Sequence, residues 1–393
     1  MKILYHHRTL SKDGQDVHIE EMIGAFRRRG HEVVVVAPGA PAGDPGKTEG
    51  SGIGWLKRLM PRAVYELLEL GYTLVAYRRL RRAYLRHKPA LLYERYNLFM
   101  LAGRMLNARY SVPFLLEVNA PLVHERAKFD GLALEGLAAW SERATWRAAD
   151  YVLPVTDQLA EFVRRAEVPD TRIRVIPNGI NRARFADGAS GAEARRELGL
   201  DGKVVLGFTG YIRAWHGLSR VVDLLADMPE RTNLHFLVLG DGPDREDIEA
   251  HADARGVLEQ VTFLGVVPRD RVGGYVAAFD IALQPRVTDY ASPLKLFEYM
   301  ALGCAIVGPD QSNIREVLTD RENSLLFAPD DDESFRAAVL ALCRDEALRR
   351  RLGRAAARTI DDRNLTWDGN AERIEGLVEE VARRGADRDR AKP

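Results

Sequence analysis

Two ionisable residues, Lys295 and Glu298, lie near the start of a predicted helix in the stretch from Ser292 to Gly308. A serine followed by a proline is typical of a helix start, and Gly303 suits the C-terminal end. Lys295 falls in the first turn, where the positive end of the helix dipole disfavours a cation. Free N–H groups at a helix start bind phosphate, and a lysine adds a point charge. We therefore predict that an anion shares this site.

Glu298 lies three residues after Lys295 and therefore projects from the same face of the helix. A carboxylate one turn deeper suits sugar hydroxyls better than phosphate. The pair predicts a nucleotide-diphosphate site, unless it is only a surface lysine and a solvated glutamate on an ordinary helix. The predicted donor-binding residues of this segment are Ser292 as the N-cap, Pro293 as the first helical residue, Leu294 and Glu298.

The loop 210–217 follows a predicted strand and precedes a predicted helix, which is where a strand–helix turn holds an anion. Arg213 could grip a diphosphate with two hydrogen bonds, and His216 could donate at near-neutral pH. The alternative is a turn with an incidental arginine. The sequence Gly-Asp-Gly-Pro from Gly240 occupies the equivalent turn after the next strand and is more typical of a structural turn. We predict that Gly210, His216 and Gly240 border the donor.

Polar residues interrupt an otherwise apolar strand in 113–121. Strand alternation places Glu117 and Asn119 on one face, whereas a buried parallel strand should be apolar on both faces. Their position at the C-terminal end of the strand predicts that they hold sugar hydroxyls at the catalytic centre. The alternative is that Glu117 ties down the following loop, 121–130.

Three histidines, His6, His7 and His18, occur close together in the sequence. Adjacent strand residues point to opposite faces, so His6 and His7 cannot easily share one site and one of them belongs to the core. The predicted loop 8–16 contains a glycine that would let the backbone approach a ligand closely. The predicted acceptor-binding residues are His7, Gly14, Gln15 and His18.

Composition excludes several classes of function. The chain has 393 residues, too many for one core, and a formal net charge of zero, so no global electrostatic attraction to nucleic acid is expected. Cys304 and Cys343 do not form a disulfide framework, so we expect a reducing cytoplasm. The nine histidines and two cysteines show no metal-ligand spacing. We expect no signal peptide, no membrane-spanning segment, no metal and no cofactor, and glycine motifs of dehydrogenases and Walker A loops are absent.

The segment 55–88 concentrates positive charge among aromatic and aliphatic residues. It contains nine Lys/Arg against only Glu66 and Glu69, which leaves a net charge of +7. Such a basic amphipathic stretch can lie on an anionic membrane surface. The alternative is a solvated helix face whose arginine stems cover apolar surface.

Strand-like and helix-like segments alternate along the chain and then restart, which predicts an α/β protein of two doubly wound, Rossmann-like parallel-sheet domains facing across a cleft. The first domain is predicted to comprise 1–180, completed by 366–385, and to bind the acceptor. The second comprises 190–365 and binds the nucleotide sugar. The residues 386–393 are expected to form a frayed tail.

Four motifs in this order resemble the retaining nucleotide-sugar glycosyltransferases of family 4, which have the GT-B fold. The motifs are 30–38, 175–180 with Phe185, 240–243 and 292–308. The resemblance runs through almost the whole chain. It implies a donor nucleotide bound mainly by the C-terminal domain, an acceptor bound by the N-terminal domain, and a final helix that crosses back to the first domain.

The chain departs from the family pattern at the donor sugar. Many members have two glutamates separated by seven positions, and Glu298 matches the second, which resembles the ribose-binding residue. The first falls on Tyr290, so Asp289 beside it is the candidate substitute. Many members also have an Arg and a Lys five residues apart in the loop after the first strand of the second domain, and this chain has Tyr211 and His216 at those positions.

The compensating charge is then expected from Arg213 and Lys295. A family histidine near the reacting sugar has Asn119 as its nearest match, which argues against a general base there.

These observations predict a metal-independent, retaining transferase that moves a hexose or N-acetylhexosamine from a nucleotide-diphosphate sugar, with UDP or GDP as the carrier. The acceptor would be a glycan or a lipid-linked glycan of surface polysaccharide or glycoconjugate biosynthesis, reached in the cytoplasm or at the inner face of the membrane. The predicted catalytic residues are Arg213, Lys295, Asn119 and Glu117. The alternatives are a GT-B nucleotide-sugar epimerase, a non-catalytic sugar-nucleotide binding protein and a membrane-docking module without a ligand.

Overall fold

Two all-parallel β-sheets organise the chain into two units in a computed structural model that describes residues 1–9, 14–38, 60–186, 190–228 and 233–390. The first unit comprises Met1–Pro177 together with the chain from Asn370 onward, and the second comprises Asn178–Gly369. The predicted loop 40–54 and the first five residues of the basic segment, 55–59, lie outside the described residues.

The first unit has a five-stranded sheet with the strand order β2-β1-β3-β4-β5. Its strands are β1 (Lys2–His6), β2 (Glu32–Val36), β3 (Leu91–Arg95), β4 (Phe114–Val118) and β5 (Tyr151–Pro154). Its helices are α1 (Gly14–Arg28), α2 (Arg62–His87), α3 (Ala102–Tyr110), α4 (Leu122–Glu125), which continues as a π-helical turn (Arg126–Asp130), α5 (Glu135–Ala148) and α6 (Asp157–Arg165). The short 3₁₀ turn Asp170–Arg172 follows.

The second unit has a six-stranded sheet with the strand order β11-β10-β9-β6-β7-β8. Its strands are β6 (Val204–Thr209), β7 (Leu234–Leu239), β8 (Val261–Gly265), β9 (Ile281–Leu283), β10 (Ala305–Pro309) and β11 (Leu325–Phe327). Its helices are α7 (Ala183–Ala186), α8 (Gly191–Glu197), α9 (Ser219–Asp227), α10 (Arg245–Ala254), α11 (Arg269–Ala277), α12 (Leu294–Ala301), α13 (Ser312–Arg315), α14 (Asp332–Arg344) and α15 (Glu346–Asp362). Two 3₁₀ turns occupy Ala214–His216 and Leu258–Gln260. The last helix, α16 (Trp367–Arg390), lies in the first unit from Asn370 onward.

The central strands are apolar on both faces because helices cover both sides of each sheet. Along β6, Leu206 and Phe208 belong to one hydrophobic cluster, whereas Val205 belongs to a second cluster on the opposite face. This period of two is the pleat of a strand buried on both sides. The prediction of two doubly wound α/β units is therefore confirmed.

Several predicted boundaries differ from the structure. Gly14 and Gln15 lie in the first turn of α1 and not in a loop. The sequence also predicts a strand at 172–176, which the structure reduces to a single bridge between Val152 and Ile173. The final helix continues through Arg390, whereas the sequence predicts a frayed tail from residue 386. Pattern reasoning places such ends poorly because tertiary contacts extend or shorten elements by a few residues. None of the described helices combines the length and the apolar character needed to cross a bilayer.

Candidate functional site

The predicted cation lies at the start of α12, as expected, but the helix cap differs. The helix begins at Leu294 with Pro293 as its N-cap, so the prediction of Ser292 as the N-cap is wrong. The backbone carbonyl of Ser292 instead accepts a 2.6 Å hydrogen bond from Nδ2 of Asn178. Proline fits the cap because it has no N–H to satisfy and a fixed φ. Lys295 is thus the second helical residue.

The ammonium group of Lys295 is buried and has no hydrogen-bond partner among the described residues. It lies 3.7 Å from the centroid of the Phe208 ring, at the end of β6. A Cβ placed on Gly210, whose φ is +130°, would lie 3.0 Å from Nζ of Lys295. A glycine at this position therefore allows both the backbone conformation and the close approach of the lysine. A cation–π contact offsets only part of the cost of removing an ammonium from water.

Burial shifts both ionisable groups of α12 toward their neutral forms. It lowers the pKa of Lys295 to about 7, against the opposing effect of Glu298. It also raises the pKa of Glu298, although Lys295 and Arg184 act in the opposite direction. Lys295 and Glu298 share one face of α12, as predicted, but they form no ion pair in the described structure. An anionic group beside Lys295 would restore its charge and supply the missing partner.

The loop after β6 brings His216 to the same aromatic ring. The centroids of the His216 and Phe208 rings are 5.2 Å apart. Burial, together with Lys295 and Arg213, lowers the pKa of His216 to about 3. His216 is therefore neutral near pH 7, because a second cation beside Lys295 would be unfavourable, and its predicted contact with the donor stays a prediction. Its Nδ1 accepts a hydrogen bond from the backbone N–H of Arg213 at 3.3 Å, which assigns the ring proton to Nε2.

Arg213 is exposed and lies between two aromatic rings. Its guanidinium carbon is 4.8 Å from the ring centroids of both Tyr211 and Trp215. Stacking of this kind holds the planar group in place and leaves its N–H donors available at the edges. The predicted role of Arg213 in holding phosphate stays a prediction.

The helix carrying Lys295 is anchored to the end of β6. The hydroxyl of Tyr299 accepts a 2.9 Å hydrogen bond from the backbone N–H of Thr209. Asn313 fixes the segment before the helix, since its Nδ2 donates to the carbonyls of Thr288 and Ala291 at 3.0 and 2.7 Å.

Sequence reasoning missed Asn178 and Asn313 as supports of this site, and it missed Phe208 as the ring beneath the lysine. The only signal was the occurrence of Asn178 in the motif 175–180. The side-chain oxygens of Asn178 and Asn313 are buried and lack partners among the described residues.

The two glycine turns lie against each other. A Cβ on Gly240 would come within 2.0 Å of the carbonyl oxygen of Gly210, and one on Gly242 within 2.1 Å of the carbonyl oxygen of Ile212. Both positions therefore require glycine for steric reasons. Gly240 has this packing role beside the loop of the lysine site.

Tyr290 and Asp289, the two residues at the position of the missing family carboxylate, differ in solvent exposure. Tyr290 is buried and only 5% exposed, whereas Asp289 is exposed. An exposed carboxylate beside a buried tyrosine remains able to contact a ligand. The substitution of Asp289 for the family carboxylate stays a prediction.

In the first unit, several predicted residues meet at one buried carboxylate. Glu117 is 3% exposed. Its Oε2 accepts hydrogen bonds from Tyr93 at 2.7 Å and pairs with Nε2 of His18 at 2.9 Å. Its Oε1 accepts from Nη1 of Arg95 and Nδ2 of Asn119, both at 2.5 Å. We call these five residues the Glu117 cluster.

The Glu117 cluster is electrostatically saturated. Burial alone would raise the pKa of Glu117, but His18 and Arg95 more than compensate and hold it well below its ordinary range. Every donor around the carboxylate is already engaged with it. The structure therefore brings the predicted residues Glu117, Asn119 and His18 together as an internal network, and their predicted contacts with sugars stay predictions.

One of the two adjacent histidines, His6, belongs to the core as predicted, whereas the predicted role of His7 in acceptor binding stays a prediction. His6 is 3% exposed and pairs with Oε2 of Glu94 at 2.5 Å. Burial, followed by the charges of His6 and Arg95, lowers the pKa of His7 to about 4, so His7 is neutral at pH 7. Among the described residues no group of His, Cys, Asp and Glu side chains is arranged to hold a metal ion.

Comparison with known proteins places this geometry in a family. The family model "Glycosyl transferases group 1" matches residues 191–359, and the model "Glycosyl transferase 4-like domain" matches residues 13–179. Because these two models together cover most of the chain, it belongs to the family 4-type glycosyltransferases with the GT-B fold.

Two curated relatives illustrate the similarity. "Alpha-D-kanosaminyltransferase" of Streptomyces kanamyceticus is 26% identical over 69% of this chain and 71% of its own length. "GDP-mannose-dependent alpha-mannosyltransferase" of Mycolicibacterium smegmatis is 26% identical over 92% of both chains. Other curated relatives are matched over only 54 to 66% of their own length.

A solved structure supports the fold. Sucrose-phosphate synthase from Thermosynechococcus elongatus superimposes with a TM-score of 0.78, covering 98% of this chain and 100% of that chain. Its sequence identity is 18%, so this similarity speaks for the GT-B fold alone.

Proposed function

We propose that this enzyme is a metal-independent, retaining glycosyltransferase that moves a hexose or N-acetylhexosamine from a nucleotide-diphosphate sugar to a glycan or lipid-linked acceptor. The observation that carries the proposal is the buried ammonium of Lys295, which has no partner among the described residues. It lies at the start of α12, where the helix dipole also favours an anion. The GDP-mannose dependence in the name of the M. smegmatis relative supports a nucleotide-sugar donor with GDP or UDP.

In the proposed reaction the oxygen of the acceptor hydroxyl bonds to the anomeric carbon as the bond between that carbon and the diphosphate oxygen breaks. The hydroxyl proton leaves with the nucleoside diphosphate, on which negative charge develops. Lys295 and the N–H groups of the first turn of α12 stabilise this charge, and the edge donors of Arg213 reach it from the neighbouring loop. Glu298 accepts hydrogen bonds from the ribose hydroxyls. Because the stabilising charges come from side chains and the helix, the reaction proceeds without a divalent ion.

The nature of the acceptor determines where in the cell the enzyme acts. We propose polysaccharide or glycoconjugate biosynthesis in the cytoplasm, with a lipid-linked acceptor reached at the inner face of the membrane and contact through the segment 55–88. Retention of configuration is tested by NMR of the anomeric proton in the first product formed.

The central test is Lys295→Ala assayed with and without EDTA. Charge-assisted hydrogen bonds contribute about 1.5–3 kcal/mol each, so we expect kcat to fall by roughly tenfold or more. The parent enzyme should keep its activity in EDTA. Lys203→Ala, which changes another half-buried lysine of the second unit, is the matched control. A requirement for added Mn²⁺, or full activity of Lys295→Ala, would count against the proposal.

Two further outcomes distinguish rival functions. Epimerised nucleotide sugar in a reaction without acceptor would indicate an epimerase. Thermal stabilisation by UDP or GDP with no turnover over an acceptor panel would indicate a binding protein without catalysis.

A further inference from the structure

The N-terminal half of helix α2 buries polar side chains and exposes apolar ones. The buried residues recur at helical spacing: Glu66, Glu69, Thr73, Ala76 and Leu80. The outward side carries large apolar side chains that are 40 to 57% exposed: Val64, Leu67, Leu68, Leu74 and Val75. A helix that faces only water on its outer side normally shows the opposite arrangement. The outward side is therefore suited to contact an apolar medium.

The inward carboxylates fix the rotation of α2 about its axis. The carboxylate of Glu66 accepts hydrogen bonds from the backbone N–H groups of Ala133 and Leu134 at 2.8 and 2.7 Å, just before α5 begins. Glu69 accepts two hydrogen bonds from Arg126, at 2.6 and 3.2 Å. Turning the helix to hide its apolar side would break these hydrogen bonds and leave the backbone N–H groups of Ala133 and Leu134 without their acceptor, which is costly.

Arginines continue the same outward side in the last three turns of α2. Arg78, Arg82 and Arg86 follow one another at intervals of four residues and are all exposed. None of the three forms an ion pair or hydrogen bond with a residue that the structure describes. Their side chains are free to contact external anions.

Along the chain from Met60 to Tyr110 every exposed charged side chain is a cation. Between Met60 and Tyr110 the only carboxylates are Glu66, Glu69 and Glu94, which are at most 5% exposed. Helix α3 packs beside α2 and adds the exposed Arg109. An apolar strip that continues into a row of exposed arginines matches an anionic lipid surface, whose phosphates lie above an apolar interior.

We propose that an anionic lipid bilayer binds the docking face of α2, defined as Val64, Leu67, Leu68, Leu74, Val75, Arg78, Arg82 and Arg86. The apolar residues enter the boundary between headgroups and acyl chains, and the arginines contact lipid phosphates. A second copy of the chain fits this face less well, because a two-fold contact would bring like charges together. This face specifies the membrane contact proposed above for the segment 55–88 and rests on that proposal, but lipid binding can be measured without glycosyl transfer.

The test is flotation of the full-length protein with vesicles, in the absence of donor and acceptor. We expect binding to vesicles of phosphatidylcholine with phosphatidylglycerol, and weak binding to pure phosphatidylcholine. The triple variant Arg78→Gln, Arg82→Gln, Arg86→Gln should lower the partition coefficient by about 100-fold, since each basic residue near an anionic surface contributes about fivefold. Its matched control is Arg350→Gln, Arg354→Gln, Arg358→Gln, with the same spacing on α15 and all three residues exposed.

The apolar half of the docking face is tested separately. Leu67→Gln with Leu74→Gln should lower vesicle binding by at least about tenfold, because two exposed leucines lose their apolar contact. Leu258→Gln with Val266→Gln is the control, since these residues are 40 and 83% exposed in the second unit. Equal binding by the docking-face and control variants would overturn the proposal.

A labelled protein keeps the proposal testable if a triple or double variant folds poorly. Leu68→Cys in a Cys343→Ser background carries an environment-sensitive dye, and its emission should rise with anionic vesicles. The same dye at Val266→Cys should not respond. Failure of the parent protein to bind anionic vesicles, or a dimer that Leu67→Gln dissociates without any lipid binding, would refute bilayer docking.

Discussion

Each unit buries a charged side chain beside the C-terminal end of a central strand, but the two charges have opposite surroundings. Glu117 in the first unit accepts or pairs with four donors: Tyr93, His18, Arg95 and Asn119. Lys295 in the second unit lies over an aromatic ring and has no hydrogen-bond partner among the described residues. The first charge is satisfied within the protein, whereas the second depends on a group from outside.

This difference separates a structural network from a binding site. A fully paired buried carboxylate contributes to stability and to a unique arrangement of its neighbours. A buried cation without a partner costs stability, and such a cost is commonly tolerated where function needs it. The Glu117 cluster is therefore expected to hold the first unit together, and Lys295 is expected to serve a ligand at the expense of stability.

The largest expected effect is a loss of stability when the buried carboxylate of the first unit is removed. Glu117→Ala removes the shared acceptor of the cluster and takes away the carboxylate partner of the buried Arg95 guanidinium, so we expect a loss of about 3–5 kcal/mol in the free energy of unfolding. Chemical denaturation followed by circular dichroism measures it. Glu135→Ala, at an exposed position of α5, is the control and should change stability little. A loss below about 1 kcal/mol would show that the cluster is not structural.

In the second unit, removal of the buried charge is expected to raise the free energy of unfolding. Lys295→Met removes the unpartnered buried cation and should raise the free energy of unfolding by about 1–3 kcal/mol near neutral pH. The pKa of Lys295 is about 7 in the folded state, below its ordinary value of 10.5, so the unfolded chain binds one more proton than the folded chain between these pH values. Stability of the parent protein should therefore rise with pH from about 7 to 10, and the gain in the variant should shrink over the same range.

Thermal unfolding of the Lys295→Met variant at pH 6 and pH 9 provides the measurement. Lys203→Met should show neither the gain nor its pH dependence. Destabilisation by Lys295→Met at pH 6 would mean that packing of the lysine stem outweighs the cost of its charge.

A third effect concerns the pH dependence of turnover. Because the pKa of Lys295 is about 7 in the free protein, kcat/KM should fall above this pH, by up to tenfold per unit. The bound diphosphate raises the pKa of Lys295, so the corresponding fall in kcat should appear at higher pH. The alkaline fall should disappear in Lys295→Ala. An acidic fall near pH 6 is not expected from His216, whose pKa is lowered to about 3.

The smallest effect is expected from the glycine beside the lysine. A Cβ on Gly210 would lie 3.0 Å from Nζ of Lys295, so Gly210→Ala should displace the ammonium and weaken binding of UDP or GDP by about five- to tenfold. Gly202→Ala is the matched control, because Gly202 also has positive φ but a Cβ there would meet no atom within 4 Å. Isothermal titration measures the affinity of both variants. Equal affinities would indicate that backbone strain, and not contact with Lys295, governs the site.

Much of the fold could be predicted from the sequence because it depends on local patterns. Apolar runs bounded by turn residues identified the strands, and their alternation with helical periods implied parallel sheets. The ends of elements were less predictable, since α1 begins at Gly14 and the strand expected at 172–176 is a single bridge. Those details depend on contacts with distant parts of the chain.

The candidate site also combines features that could be predicted from the sequence with features that could not. The spacing of Lys295 and Glu298 already placed both on one helix face, and the dipole argument made the lysine anomalous. The sequence could not show that Phe208 lies beneath Lys295 or that His216 is neutral, because those features come from residues far apart along the chain. The meeting of His18 with Glu117 was also beyond sequence reasoning, since it joins α1 to β4.

The basic segment 55–88 shows most clearly the difference between what the sequence determines and what the tertiary structure determines. Its sequence determined a positively charged, amphipathic helix, because helical periodicity and charge are local properties. Only the tertiary structure decided that the carboxylates of Glu66 and Glu69 point inward and that Leu67, Leu68 and Leu74 point outward. The physical reason is that partners for buried charge, such as Arg126 and the backbone before α5, are supplied by distant segments and outweigh the usual preference for burying leucine.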